Sequence, residues 1–253
     1  MKNTVLYLLF FLLSLSTFAQ SKTLFEQGNT LYNEGKFTEA LDKYETILEG
    51  DKHSAELYFN IANAHYKLNH IAPSIYYYEK AAQLNPNDKD IKNNMAFAKN
   101  MTIDAIDTLP EVGFSKLVNN MTRIMSFNDW AKLAVGFVIA FVVLFLLYYF
   151  AYSTTKKRLY FVSSLIAVFL ALFSLVFTFH NYNLVQKNNP AIVFAQEAQV
   201  KSEPNLRSDI AFTLHEGMKV QILDTVSNWK KIKLSDGKTG WVITDDVKIL
   251  NDF

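Results

Sequence analysis

Nucleophilic or acid–base chemistry needs a nucleophile beside a base, a glycine-rich phosphate cradle or a set of metal ligands. The chain offers none of these as a motif: there is no GxSxG, no HExxH and no phosphate loop. Cysteine is absent, which removes disulfides, thiolate zinc sites, a cysteine nucleophile and a lipoprotein cysteine. The five histidines are scattered. His53, His65 and His70 suit surface or capping roles, and His65 with Asn69 is not a ligand pair. The chain therefore reads as a non-enzyme with no catalytic residues, no metal and no cofactor. What remains is recognition chemistry. Asn29 and Asn63 are amides that need partners if buried. Tyr32, Tyr66 and Phe97 are rings spaced along the same region, and Phe212, Trp229 and Trp241 form a second aromatic set near the C-terminus.

The elements that must position these residues follow from where the apolar residues fall. The chain has 253 residues, half of them hydrophobic and 19% charged, with 25 basic and 24 acidic side chains and a net charge of +1. That balance excludes a strongly basic nucleic-acid binder and an acidic disordered tail. Behind Lys2, residues 5–15 form an apolar stretch too short to span a bilayer. It reads as a signal peptide over 1–19 with cleavage after Ala19, the other reading being an uncleaved anchor. Two charge-free runs, 133–152 and 159–179, are each long enough at about 1.5 Å per residue to cross a hydrocarbon core of about 30 Å. No polar face recurs in either run, and Trp130, Tyr148, Tyr149, Tyr152 and Tyr160 sit at their ends as interfacial belts do. We expect transmembrane helices over 131–152 and 159–179. The loop between them, 153–158, carries Lys156, Lys157 and Arg158 and no acid, which places it in the cytoplasm and both flanking regions outside. With no charge in either apolar run, 133–152 or 159–179, an ion or proton path is not expected.

Residues 20–104 contain a self-similarity at an offset of 34. It pairs Phe25 with Phe59, Gly28-Asn29 with Ala62-Asn63, Tyr32 with Tyr66, Leu41 with Ile75, and Tyr44 with Tyr78. The segment resembles the tetratricopeptide repeat (TPR) family, whose period is about 34 residues. Gly28 and Ala62 take the small position of the first helix of each repeat, Ala40 and Ser74 that of the second, and Pro86 ends the second repeat. Gly35 supplies the inter-helix turn of the first repeat, and Asn69 that of the second. A capping helix is expected over about 88–102, giving an all-α array of two repeats plus a cap. Such an array is near the lower limit for stability and should lean on a partner or on another part of the chain. The resemblance implies a concave groove for protein segments, lined by Asn29, Tyr32, Asn63, Tyr66 and Phe97. Asn29 and Asn60 match two positions of the carboxylate clamp of some TPR proteins, but Phe25, Asp90 and Asn94 replace its basic residues, so a clamp is not expected. Tyr76-Tyr77-Tyr78 cannot all face one core on a helix, so at least one must be exposed or meet a partner. Residues 20–130 carry 11 basic and 15 acidic side chains, which argues against nucleic acid as a ligand.

In the juxtamembrane segment 105–130, Phe114, Leu117, Val118, Met121, Ile124 and Met125 recur at helical spacing. This is either an interfacial helix lying on the outer leaflet or a helix packed on the TPR cap. Ser126, three before Asp129, reads as the N-cap of the first span. A polar linker is expected over 180–190. Beyond it the period changes to two, as in 218–223 and 231–234, with a turn over 235–238. Residues 180–253 carry nine basic and nine acidic side chains. Residues 206–208, 215–220, 228–234 and 236–242 resemble bacterial SH3-like domains, which implies an all-β small barrel over 191–253. The same likeness implies a ligand strip of Trp229, Phe212 and Trp241 for peptide or cell-wall fragments. Trp229 shares its face with Lys231 and Lys233 and is the better binding candidate; only one of Trp241 and Val242 can face the interior, and the tryptophan is the more expected of the two.

Signal peptide, TPR array, transmembrane hairpin and SH3-like domain, in this order, resemble the BatE-type proteins of bacterial aerotolerance operons. The resemblance covers the whole chain. It implies a bacterial inner-membrane protein with periplasmic N- and C-terminal domains, working beside MoxR-type ATPases and membrane proteins with von Willebrand factor A domains in envelope or oxidative stress tolerance. The activity implied is scaffolding. The rival reading is a peptidoglycan-binding envelope sensor.

Overall fold

A computed structural model describes residues 21–104, 113–122 and 124–251. The expected signal peptide, 1–19, lies outside the described residues. The chain divides into two units, Met1–Thr108 with Asn189–Phe253, and Leu109–Asn188.

The described residues of the first unit begin with five helices: α1 (21–33), α2 (Phe37–Glu49), α3 (Ala55–Lys67), α4 (Ile71–Leu84) and α5 (Lys89–Lys99). Their ends follow local chemistry. Ser54 caps α3 by accepting from the Leu57 N–H, and Asp88 caps α5 by accepting from Asp90 and Ile91. The chain reverses between α1 and α2 at Gly35, with φ 81°, and between α3 and α4 at Asn69, with φ 61°. Ala40, Leu41, Tyr44, Ile47, Leu57 and Ile61 form the core of the first repeat. Gly28 allows α1 to approach α2 closely. A β-carbon there would lie 2.4 Å from Cε1 of the buried Tyr44 ring. Gly28→Ala is therefore expected to lower stability by about 1–3 kcal/mol, read as a shift in denaturation midpoint. An unchanged midpoint would mean that the Tyr44 ring is free to move aside.

Seven strands follow: β1 (Pro190–Val193), β2 (Glu197–Lys201), β3 (Ile210–His215), β4 (Lys219–Val226), β5 (Trp229–Lys233), β6 (Thr239–Ile243) and β7 (Val247–Ile249). They make one antiparallel sheet in the order β3-β2-β6-β5-β4-β1-β7. The expected barrel is not closed: β3 and β7 are the two edges and do not pair with each other. The physical reason lies in β1, all four residues of which are buried. Ala191 and Val193 point into the sheet's own core with Val200, Leu214, Ile232 and Val242. Ile192, on the opposite face, joins Leu250 in a core shared with Ala62, Ala72, Ile75 and Tyr76 of the helices. The β1–β7 end of the sheet thus covers helix α4 and is not free to complete a barrel.

Polar contacts complete this seam. The buried Glu79 carboxylate of α4 accepts from Lys99 Nζ of α5 at 2.8 Å and Lys219 Nζ of β4 at 2.6 Å. Burial alone would raise its pKa, but the two lysines hold it below the ordinary carboxylate value. Asp104 receives the His215 backbone N–H at 2.7 Å and bonds its ring Nδ1 at 2.9 Å. The Tyr76 ring meets Phe194 edge-on at 5.6 Å and lies under Lys248 Nζ at 4.8 Å. The need for a partner in the Tyr76-Tyr77-Tyr78 run is met inside the chain.

The second unit holds α6 (Gly113–Thr122), α7 (Phe127–Phe150) and α8 (Thr154–Lys187). Ser126 accepts from the Asp129 N–H and starts α7. Among the described residues, two helices are long and apolar enough to cross a membrane, and most of their large apolar side chains are exposed. They pack on each other through small residues of α8, Ser164, Ala167, Ala171 and Ser174, which let the backbones approach. Helix α8 is longer than expected. It begins within the basic segment, so Lys156, Lys157 and Arg158 occupy its first turns, and it runs through most of the expected linker to Lys187. Cations at a helix N-terminus oppose the macrodipole, so helix stability does not account for their placement.

Candidate functional site

The offset of 34 seen in the sequence returns as hydrogen bonding. In the first repeat, the Asn29 carboxamide oxygen accepts from Tyr44 Oη at 2.7 Å and Asn60 Nδ2 at 2.9 Å. In the second, Asn63 Oδ1 accepts from Tyr78 Oη and from Asn94 Nδ2 at 2.9 Å. The three positions, 29/44/60 and 63/78/94, are related by the same offset. Each triad ties three successive helices together. Phe25 lies 5.9 Å from Tyr44 and Phe59 5.9 Å from Tyr78, so these two phenylalanines are packing partners of the triads. Burial raises the Tyr44 phenol to about 12, with a smaller contribution from Tyr32, and raises Tyr78 further. Both stay protonated and donate.

Around the second triad lies a cavity of about 220 Å³. Its walls are Tyr32 of α1, Asn63, Tyr66 and Lys67 of α3, Tyr78 of α4, and Asn94 and Phe97 of α5. Phe97, at the edge of this cavity, is 60% exposed. The structure thus brings Tyr32, Asn63, Tyr66 and Phe97 to one place. Asn29 is not in that wall; its oxygen is committed to Tyr44 and Asn60. Sequence reasoning omitted Lys67, Tyr78 and Asn94. The offset was the signal for two of them, since Asn94 repeats Asn60 and Tyr78 repeats Tyr44. Chemically, the cavity combines amide donors and acceptors, one ammonium and several ring faces. That is suited to an extended peptide carrying an apolar side chain and a carboxylate or carbonyl within reach of Lys67.

The second aromatic set divides. Trp229 pairs with Ile243, and Trp241 with Lys231, across neighbouring strands. Alternation puts all four on one face, opposite the buried Val242 and Ile232. The expectation that Trp241 faces the interior is corrected: Val242 takes that place, and Trp241 lies under Lys231 Nζ, 5.8 Å from the ring centroid. Both tryptophans are half-buried. Phe212 does not join them; it pairs with Val200 and packs on the sheet's interior core. Gly240 permits this arrangement, since a β-carbon there would meet Val200 Cγ1 at 2.4 Å.

Residues 28–69 match the TPR repeat and residues 55–88 the tetratricopeptide repeat, while residues 197–248 match the bacterial SH3 domain. No curated protein matches the chain. The two module types define a class. TPR repeats imply protein–protein interaction, and the bacterial SH3 domain implies binding of peptidoglycan or protein. Both are typically non-catalytic.

Proposed function

We propose that the chain is a membrane-anchored scaffold that holds a protein segment in the groove of α1, α3 and α5, on the outer side of a bacterial inner membrane. The observation that carries this reading is the cavity beside the second triad, with Tyr66, Lys67 and exposed Phe97 gathered on its walls. Orientation rests on the basic turn at Lys156, Lys157 and Arg158. The module order suggests the partners: membrane proteins with von Willebrand factor A domains and a MoxR-type ATPase, in envelope or oxidative stress tolerance. A second reading, a peptidoglycan-binding sensor, is favoured by the Trp229–Trp241 face with Lys231 across it.

A photo-crosslinking amino acid at Tyr66, activated in native membranes and followed by mass spectrometry, tests the proposal. A protein adduct is expected, and it should be lost when Lys67→Ala and Phe97→Ala, both at exposed positions on the cavity wall, are added. Without a protein adduct the scaffold reading falls. If Trp229→Ala then releases the chain from purified sacculi, the sensor reading takes its place.

A further inference from the structure

Helix α6 is built the wrong way round for a helix packed on protein. The residues it turns toward α8 are polar: the His180 ring N–H donates to Asn119 Oδ1 at 3.0 Å, and Thr122 is buried. Among its described apolar residues, Leu117 at 54%, Met121 at 40% and, just past its end, Ile124 at 74% are exposed, and Val118 is half-buried. The same inversion marks α7 and α8, where Val138, Val142, Phe169 and Val176 point outward. The α6 segment is also locked in place. The buried Asn181 amide donates to the carbonyls of Thr122 at 3.2 Å and Met125 at 2.9 Å, and the Trp130 indole donates to Thr122 O at 2.9 Å. These bonds satisfy carbonyls that a helix end leaves open. They tie α6 to the first turn of α7 and the last turns of α8, which is one end of the hairpin. At about 1.5 Å per residue, α7 and α8 span roughly 36 and 51 Å. Their shared end at Trp130 and Asn181 therefore stands at the border of a hydrocarbon core of about 30 Å.

We infer that α6 is a lipid-facing foot. It lies in the headgroup and acyl boundary of the bilayer, with Leu117, Met121 and Ile124 inserted and its depth fixed by Asn181 and Trp130. The occupant of its apolar face is lipid, because that face is continuous with the exposed apolar surface of the two long helices. The inference rests on the reading of α7 and α8 as membrane spans.

The absence of cysteine allows single labels without background. Spin labels would be placed at Leu117→Cys, Ile124→Cys, Asn120→Cys and Val142→Cys in the full chain, reconstituted in phosphatidylcholine nanodiscs. Collision with oxygen and with a water-soluble nickel chelate would then be compared. Labels at 117 and 124 are expected to lose nickel broadening and gain oxygen broadening, as the Val142 label does, while the Asn120 label stays open to nickel. Nickel access at 117 equal to that at 120, with 142 still in lipid, overturns the foot and leaves the spans intact. Protection of 117 from both reagents, or spin–spin coupling between copies, assigns the face to protein and overturns the proposal too. Nickel access at 142 removes the membrane reading on which it rests.

Discussion

Ile192→Ala is expected to destabilise the helical array and the sheet together, by about 2–5 kcal/mol. Ile192 is fully buried, and it lies in the core shared with Ala62, Ala72, Ile75, Tyr76 and Leu250. Truncation removes apolar contact on the helix side of β1 without touching Ala191 and Val193, which fill the sheet's own core. A two-repeat array is short of stacking surface, so the loss falls on the helices as much as on the strands. The measurement is urea unfolding of the full chain in nanodiscs in a Trp130→Phe background, where indole emission reports Trp229 and Trp241 alone. Helical ellipticity from the melting helices and indole emission are expected to shift to lower urea in step, as coincident probes of one transition do. A shift of indole emission with the helical signal unmoved would mean that array and sheet fold separately.

Acidification is expected to weaken the same unit through His65. Burial lowers its pKa to about 4, helped by the neighbouring His70 and Lys248. Its Nδ1 lies 3.1 Å from that of His70, and its ring stacks on Tyr77 at 5.7 Å. In the unfolded chain His65 takes up its proton near 6.5; in the folded chain it does so only near 4. Between these values the unfolded state holds more protons, so stability falls as pH falls through that window and levels off below it. The full drop is about 3 kcal/mol, at about 1.4 kcal/mol per unit. Glu79 acts at lower pH, because its two lysines hold its pKa below the ordinary 4.5. Urea midpoints measured from pH 7 to 4 are expected to fall in the wild type and to flatten in His65→Phe, which keeps a ring against Tyr77. Equal slopes in the two proteins would show that His65 already titrates normally.

Much of the helical region was legible because its determinants are local and recur. The spacing of Gly28 and Ala62 and of Tyr44 and Tyr78 fixes which helix faces meet, and the triads stand at the same offset. The long apolar helices were equally plain from composition. The seam between array and sheet was not legible. Glu79 with Lys219, Asp104 with His215, and Ile192 with Ile75 are pairs far apart in the chain with no periodic signature. That seam also explains the open sheet: a period of two shows that β1 has two faces but not that both are buried. Trp241 was misread for a related reason. Alternation says that one of Trp241 and Val242 faces inward, and size preference chose wrongly where Gly240 brings β2 within 2.4 Å of a would-be side chain and leaves room for valine. The polar stretch after 179 reads as a linker because it lacks an apolar stripe. Its residues His180 and Asn181 instead hold α6.

The sheet covers α4 where a further repeat would stack and holds that helix, with Tyr78 in the cavity wall, in place. Gly217 marks one close approach of the sheet to α4. It is buried with φ 85°, and a β-carbon there would lie 2.8 Å from Ile75 Cδ1 and from Thr102 Cγ2. Hydrogen–deuterium exchange of the full chain in nanodiscs, wild type against Ile192→Ala, reads the same seam from β1 without the positive-φ strain that any side chain at 217 would add. Faster exchange is predicted in α4 together with β1 and β7, while α7 and α8 are unchanged. Faster exchange confined to the strands, with α4 as protected as in the wild type, would contradict the sheet's hold on α4.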